Sequence, residues 1–336
     1  MLNISHKSEL MPASAIRKLV PFADAAKAEG VKVYHLNVGQ PDIKSPACAL
    51  DAVKNNTLDH VSYTNSAGLI ELRKGLVEKY YHNIGIDIDV PELIVTVAGS
   101  EGVNLSLQIT CDEGDEVIVL EPFYTNYNTF AFMNGVTLKA VPTDIRSGFK
   151  VPEMSEFEKL ITPRTKAILI SNPGNPTGTL YTKENMLALG EVAKKHNLFL
   201  ISDEVYREFC YTDEPHFSAM NIPGLEQNVI LIDSVSKRYN LCGCRIGCII
   251  SHNKDVMAAA MKYAQARLCP PVYGQLAALG ALDTPAEYFA AVKEEYIKRR
   301  DFMIEGLNRI EGVFTPLPMG AFYTIAELPV DDTEKF

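Results

Sequence analysis

The chain has 336 residues, 47% of them hydrophobic, a formal net charge of −10 and seven cysteines. That length and apolar content allow about two domains with a sizeable core, and the negative balance argues against nucleic acid or an anionic membrane as a partner. The N-terminal stretch lacks the unbroken apolar core of a secretion signal, no apolar run is long enough to span a bilayer, and an odd number of scattered cysteines argues for reduced thiols, so the cytoplasm is the expected compartment.

In chain order, residues 11–30 read as an amphipathic helix leading to a short strand at residues 33–36. From about residue 45 to 279, strand and helix patterns alternate as in a doubly wound α/β domain with a mainly parallel sheet. Five apolar runs are each followed at once by polar residues. Residues 93–97 precede Ala98-Gly-Ser-Glu-Gly102, which opens an apolar-periodic helix, and residues 117–120 precede Glu121-Pro-Phe-Tyr124. Residues 166–170 precede Ser171-Asn-Pro-Gly-Asn-Pro-Thr-Gly178, residues 198–201 precede Ser202-Asp-Glu-Val-Tyr206, and residues 229–232 precede Asp233-Ser-Val-Ser-Lys237. Parallel strands in one sheet would align all five endings along one edge, where open α/β sheets bind ligands. Residues 287–310 read as a long charged helix bridging to a smaller α+β domain. The expected division is 1–44 contributing to the small domain, 45–279 as the large domain, and 280–336 as the bridge and the start of the small domain's C-terminal part.

The predicted edge gathers an amine, a carboxylate, a phenol, an amide, a guanidinium and a glycine-rich helix start. Pyridoxal phosphate needs such a set. Its aldehyde forms a Schiff base with a lysine, its ring nitrogen needs a carboxylate to stay protonated, and its phosphate needs backbone N–H groups with cationic and hydroxyl partners. Lys237, Asp203, and residues 99–102 with Ser234 and Arg245 answer these needs in turn, while Tyr206 and Asn175 suit the ring's phenolate oxygen. Each feature alone has an ordinary reading: a surface lysine, a helix cap at Asp203, turn residues around Asn175.

These residues also resemble the class I aminotransferases of the fold-type I pyridoxal-phosphate enzymes. Asn172-Pro-Gly-Asn-Pro-Thr-Gly178 is similar to the family's N-P-x-N-P-T-G, Ser202-Asp-Glu-Val-Tyr206 to its S-D-E-x-Y, and Ser234-Val-Ser-Lys237 through Gly243-Cys-Arg-Ile-Gly247 to its S-x-S-K and G-x-R-x-G. Asn37-Val-Gly-Gln-Pro-Asp42, Tyr63-Thr-Asn-Ser-Ala-Gly68 and Pro318-Met-Gly-Ala-Phe-Tyr323 extend the match, in the family's order, over nearly the whole chain. The resemblance implies an enzyme that moves an amino group from an α-amino acid, of aspartate or aromatic type, to a 2-oxo acid. Lys237 would hold the cofactor and then act as the base. Asp203 would pair with the ring nitrogen, Asn175 and Tyr206 would hold the phenolate, and Tyr124 would stack on the ring. Gly99, Ser100, Glu101, Ser234 and Arg245 would bind phosphate, and Gly39, Tyr124 and Asn175 would meet the substrate. Tyr63 would reach the neighbouring site of a homodimer.

Several departures qualify the resemblance. Relatives usually continue for several tens of residues past the equivalent of Phe336, and the arginine that grips the substrate carboxylate lies there. Residues 331–335 read as the beginning of a helix, so the chain is expected to be a fragment of a longer enzyme. Aspartate-type relatives commonly carry a lysine where this chain has Ser100. Arg267 is expected to be a surface charge at a helix end. Cys242, Cys244 and Cys248 lack the spacing of a zinc site and are expected to fill small positions rather than bind metal. A carbon–sulfur lyase of the same fold, or a noncatalytic binding form, would share the cofactor grip.

Overall fold

The computed structural model describes residues 2–14, 16–333 and 335. Its central sheet has seven strands in the order β1-β7-β6-β5-β4-β2-β3. They are β1 (Leu93–Thr96), β2 (Glu116–Glu121), β3 (Thr137–Pro142), β4 (Thr165–Ser171), β5 (Phe199–Asp203), β6 (Val229–Ser234) and β7 (Gly247–Ile250). Strands β2 to β6 pair in parallel. β7 is antiparallel to both β6 and β1, so β1 runs the same way as β6. All five predicted strands therefore end at one edge.

Those five strands are apolar on both faces because helices cover both faces. Alternate residues feed two separate cores: Val229 and Leu231 enter one, Ile230 and Ile232 the other. Each such side chain, fully buried, contributes about 1.5–3 kcal/mol. The helix Ala98–Thr110 lies close on β6, where a side-chain carbon on Gly102 would stand 3.0 Å from Ile232 Cγ2.

Several expectations need correction or completion. Residues 33–36 form no strand; no neighbouring strand pairs with them, and Tyr34 and Leu36 are exposed. The N-terminal helix is shorter than expected, a turn at Arg17–Leu19 followed by Val20–Ala28, because Pro21 suits a helix start and not its interior. Strands β3 and β7 were not anticipated. The long charged helix expected at residues 287–310 is present as Ala286–Asn308, and beyond it residues 312–328 make two isolated bridges, Phe314 with Glu327 and Gly320 with Cys210. Asp331, Asp332 and Thr333 form no helix, while Glu334 and Phe336 lie outside the described residues. Among the described residues no helix is long and apolar enough to cross a membrane.

Candidate active site

The sheet edge opens into a cleft of about 1290 Å³. On one side β1 passes into the helix Ala98–Thr110 through Ala98, whose φ of 60° turns the helix start toward the cleft. Thr96 fixes that turn by donating from Oγ1 to the Ala98 carbonyl at 2.9 Å. Gly247 on β7 backs it closely, since a side-chain carbon there would lie 2.6 Å from both the Ala98 carbonyl carbon and the Asp233 oxygen. Gly99 and Ser100 line the cleft. The Glu101 side chain turns away: its carboxylate accepts from the Val97 N–H and pairs with Arg267 Nε at 3.1 Å. Arg267 is thus no surface charge. With its side chain 16% exposed, it also donates to the carbonyls of Ser66 and Val95, turned inward where Leu268, at φ 81°, ends the helix.

On the other side β6 ends in Ser234, whose hydroxyl caps the one-turn helix Val235–Arg238 by accepting from the Ser236 N–H. That turn carries Lys237 into the cleft. Its amine donates to the Gly39 carbonyl at 2.7 Å, and partial burial lowers its pKa from the ordinary lysine value. Asp203 ends the adjacent strand β5 and is 7% exposed. Tyr127 donates to its Oδ2 at 2.8 Å. Burial nevertheless pushes the Asp203 pKa up to about 6, and among the described residues no lysine or arginine forms an ion pair with it. Below Lys237 lies a buried charge cluster in which Arg238 pairs with Asp233 and Glu208, and Arg207 with Glu204.

Tyr206, Asn175 and Tyr124 come to the same cleft from three further loops. Asn175 Nδ2 approaches the Tyr206 oxygen at 3.4 Å, and Tyr206 shares a 2.7 Å hydrogen bond with Tyr323. The Tyr124 oxygen accepts from Asn126 at 2.8 Å. Arg245, in the left-handed conformation at φ 54°, lines the mouth and donates to the Cys242 carbonyl at 3.0 Å. The cleft thus gathers ten of the twelve expected residues, Gly39 included, and leaves out Glu101 and Tyr63. Tyr63 stands 78% exposed. Sequence reasoning missed Tyr127, and it named Tyr323 and Cys242 without placing either at the site. The first had a signal, since Tyr124 and Tyr127 are one turn apart and their rings meet edge to face at 5.5 Å.

The donor set fits pyridoxal phosphate on an observation independent of any motif. Asp203 is a buried carboxylate without a cationic partner, and a protonated ring nitrogen would supply one. A helix start, Ser100 and Arg245 surround one end of the same cleft, as a phosphate requires.

Comparison with known proteins agrees. The family described as aminotransferase class I and II matches residues 31–336. The aspartate/prephenate aminotransferase of Thermus thermophilus is 32% identical over 97% of this chain and 85% of its own length. The crystal structure of aspartate aminotransferase from Thermotoga maritima superposes with a TM-score of 0.91 at 31% identity, covering 99% of this chain and 87% of that one. Alanine aminotransferase from Pyrococcus furiosus gives 0.89 at 32%, covering 98% and 85%. With its sheet of fold type I, its lysine and carboxylate brought to one cleft from the ends of adjacent strands, and this breadth of similarity, the chain belongs to the class I and II aminotransferases, pyridoxal-phosphate-dependent enzymes that move amino groups between amino acids and oxo acids.

Proposed function

We propose that Lys237 is the proton-moving residue of this aminotransferase, with Asp203 as the ring-nitrogen partner and an acidic or aromatic amino acid as donor. The observation that carries the reading is the convergence of the half-buried Lys237 amine and the buried Asp203 carboxylate, from the ends of adjacent strands, on one cleft. When bound, pyridoxal phosphate supplies an aldehyde for a lysine amine and a ring that draws electrons from the substrate's α-carbon.

The protein's own groups do the rest. Burial favours the uncharged Lys237 amine, the form that accepts a proton. The Gly39 carbonyl holds that amine against the cleft wall, so a substrate carboxylate approaching Gly39 meets Lys237 as well. Tyr206 and Asn175, 3.4 Å apart on the cleft wall, can supply an O–H and an N–H to a phenolate oxygen, and the Tyr124 ring forms an apolar wall against which a flat ring stacks. Ser100, Ser234 and Arg245, with the amides at Gly99 and Glu101, are the proposed phosphate contacts. We take 45–279 as the cofactor-binding unit and 1–44 and 280–336 as the parts that cover it.

Asp203→Asn tests the carboxylate directly. In the cofactor-free protein the pKa of Asp203 is raised from 3.8 to about 6, so its native form holds a proton that the unfolded chain has lost. Stability from this group is therefore present below pH 4 and lost as the pH rises through 6. Asp203→Asn is expected to stabilise the cofactor-free protein by about 3 kcal/mol above pH 6 and to have little effect at pH 4, read by urea denaturation. The same substitution is expected to slow amino transfer. An equal effect on stability at both pH values would remove the buried charge from the argument.

The donor reading draws on relatives named for aspartate and prephenate, and a structural neighbour named for alanine makes that amino acid the natural comparison. Adding aspartate, glutamate, alanine and phenylalanine singly to the cofactor-loaded protein is expected to convert the cofactor's aldehyde to its amine form, fastest with an acidic or aromatic donor. Release of ammonia and pyruvate without that conversion would indicate a lyase. A homodimer is proposed because Leu36 and Phe22, at the cleft, and Tyr63, outside it, all expose large apolar surface. Sedimentation as a monomer at micromolar concentration would set the dimer aside. All seven cysteines are free, which supports a cytoplasmic setting.

A further inference from the structure

Cys242 is the only cysteine among the described residues lining the cleft, and it stands beside the reactive amine. Its Sγ is 3.8 Å from Lys237 Nζ and donates to the Ser236 carbonyl at 3.1 Å. Other thiols are differently held. Cys248 is buried against the Tyr81 hydroxyl and Cys210 against the Arg207 carbonyl, and burial pushes both pKa values up to about 12. Cys242 instead shares an open cleft with a lysine whose four-carbon stem lets the amine swing toward the sulfur.

We propose that Cys242 and Lys237 form a reversible oxidative capture site, in which peroxide converts the neighbouring thiol and amine into a covalent sulfur–nitrogen bond. Hydrogen peroxide first takes the thiol to a sulfenic acid: sulfur gives up two electrons, one peroxide oxygen becomes the S–OH group, and the other leaves as water. The Lys237 lone pair then attacks sulfur. The S–OH oxygen leaves as a second water, taking a proton released from nitrogen. The protein thereby loses one hydrogen from sulfur and one from nitrogen while one peroxide becomes two waters. A dithiol reverses the step by attacking sulfur, returning a proton to each group and ending as its own disulfide. The bond itself requires only the two side chains. Its consequence, withdrawal of the amine that holds the cofactor, rests on the role proposed for Lys237.

The test treats the full chain with hydrogen peroxide, with and without prior loading of pyridoxal phosphate, and reads digests by mass spectrometry. The expected product joins the peptide of Lys237 to that of Cys242, lighter by two hydrogens than the two together. It disappears after dithiothreitol, is absent from Cys242→Ser and Cys242→Ala, and is suppressed by the loaded cofactor. Oxidation of Cys242 to sulfinic or sulfonic acid with Lys237 unmodified would overturn the proposal, as would a Cys242–Cys244 disulfide in place of the link. A link that forms equally in cofactor-loaded protein would uphold the capture chemistry and instead remove Lys237 from its proposed role.

Discussion

Lys237→Ala is expected to slow amino transfer by about 10²- to 10⁴-fold, the range a positioned acid–base group contributes. The amine is delivered by a one-turn helix that Ser234 caps and is held 2.7 Å from the Gly39 carbonyl, so its position is set by backbone at both ends. No other lysine lines the cleft among the described residues. Arg245, at the mouth, carries a guanidinium and does not substitute as a base. Following the cofactor's absorbance in a single turnover at saturating donor isolates the proton transfer from product release. Small primary amines added to the variant should recover part of the rate, because they supply the missing base without its tether. A variant as fast as the parent would exclude Lys237 from the chemistry.

Arg238→Gln is expected to cost about 3–5 kcal/mol of stability, since it takes the nearer of two cations from the buried Asp233 carboxylate and leaves only Arg207 at 3.9 Å. Arg238 and Asp233 are each 1% exposed in their side chains, and Arg238 also donates to Glu208 at 2.7 Å while lying 3.6 Å from the Tyr80 ring centroid. Burial raises the Asp233 pKa, but Arg238 and Arg207 more than offset this and hold it below 3.8. A depressed carboxylate contributes stability that is present above its unfolded value and lost as the pH falls through its folded value. The gap between parent and variant should therefore be full at pH 7 and should close below pH 4. Arg309→Gln, which breaks an exposed pair with Glu305, serves as the control and should change stability by no more than about 1 kcal/mol. Equal urea midpoints for the two variants at pH 7 would show that the buried cluster contributes nothing.

Much of the sheet was legible because β1, β2, β4, β5 and β6 are covered on both faces, and double burial writes an unbroken apolar run into the sequence. β3 was not, because it is an edge strand in which Val141 alone is fully buried, so no unbroken apolar run marks it. β7 was hidden for another reason: Gly247-Cys-Ile-Ile250 is only four residues long and follows directly on a motif that drew attention to Arg245. Apolar content misled at residues 33–36, where no partner strand is available. At the site, residues facing the cleft carried recognisable neighbours, whereas those facing each other did not. The bond from Tyr127 to Asp203 spans 76 positions, and Arg267 reaches Glu101 across 166, distances over which no periodicity reports.

The edge position that concealed β3 also governs what can happen along that side of the molecule in a crowded solution. β3 closes the sheet opposite β1, and its outer backbone edge is the natural place for a foreign strand to attach. Lys139 sits mid-strand, 3.6 Å from Glu116, and Pro142 ends the strand. An incoming strand would have to draw the Lys139 ammonium out of water and would find no N–H at Pro142 to complete the ladder. Two residues unrelated to catalysis thus discourage growth of the sheet from copy to copy, and they leave the catalytic edge, at right angles to that direction, free to stay open.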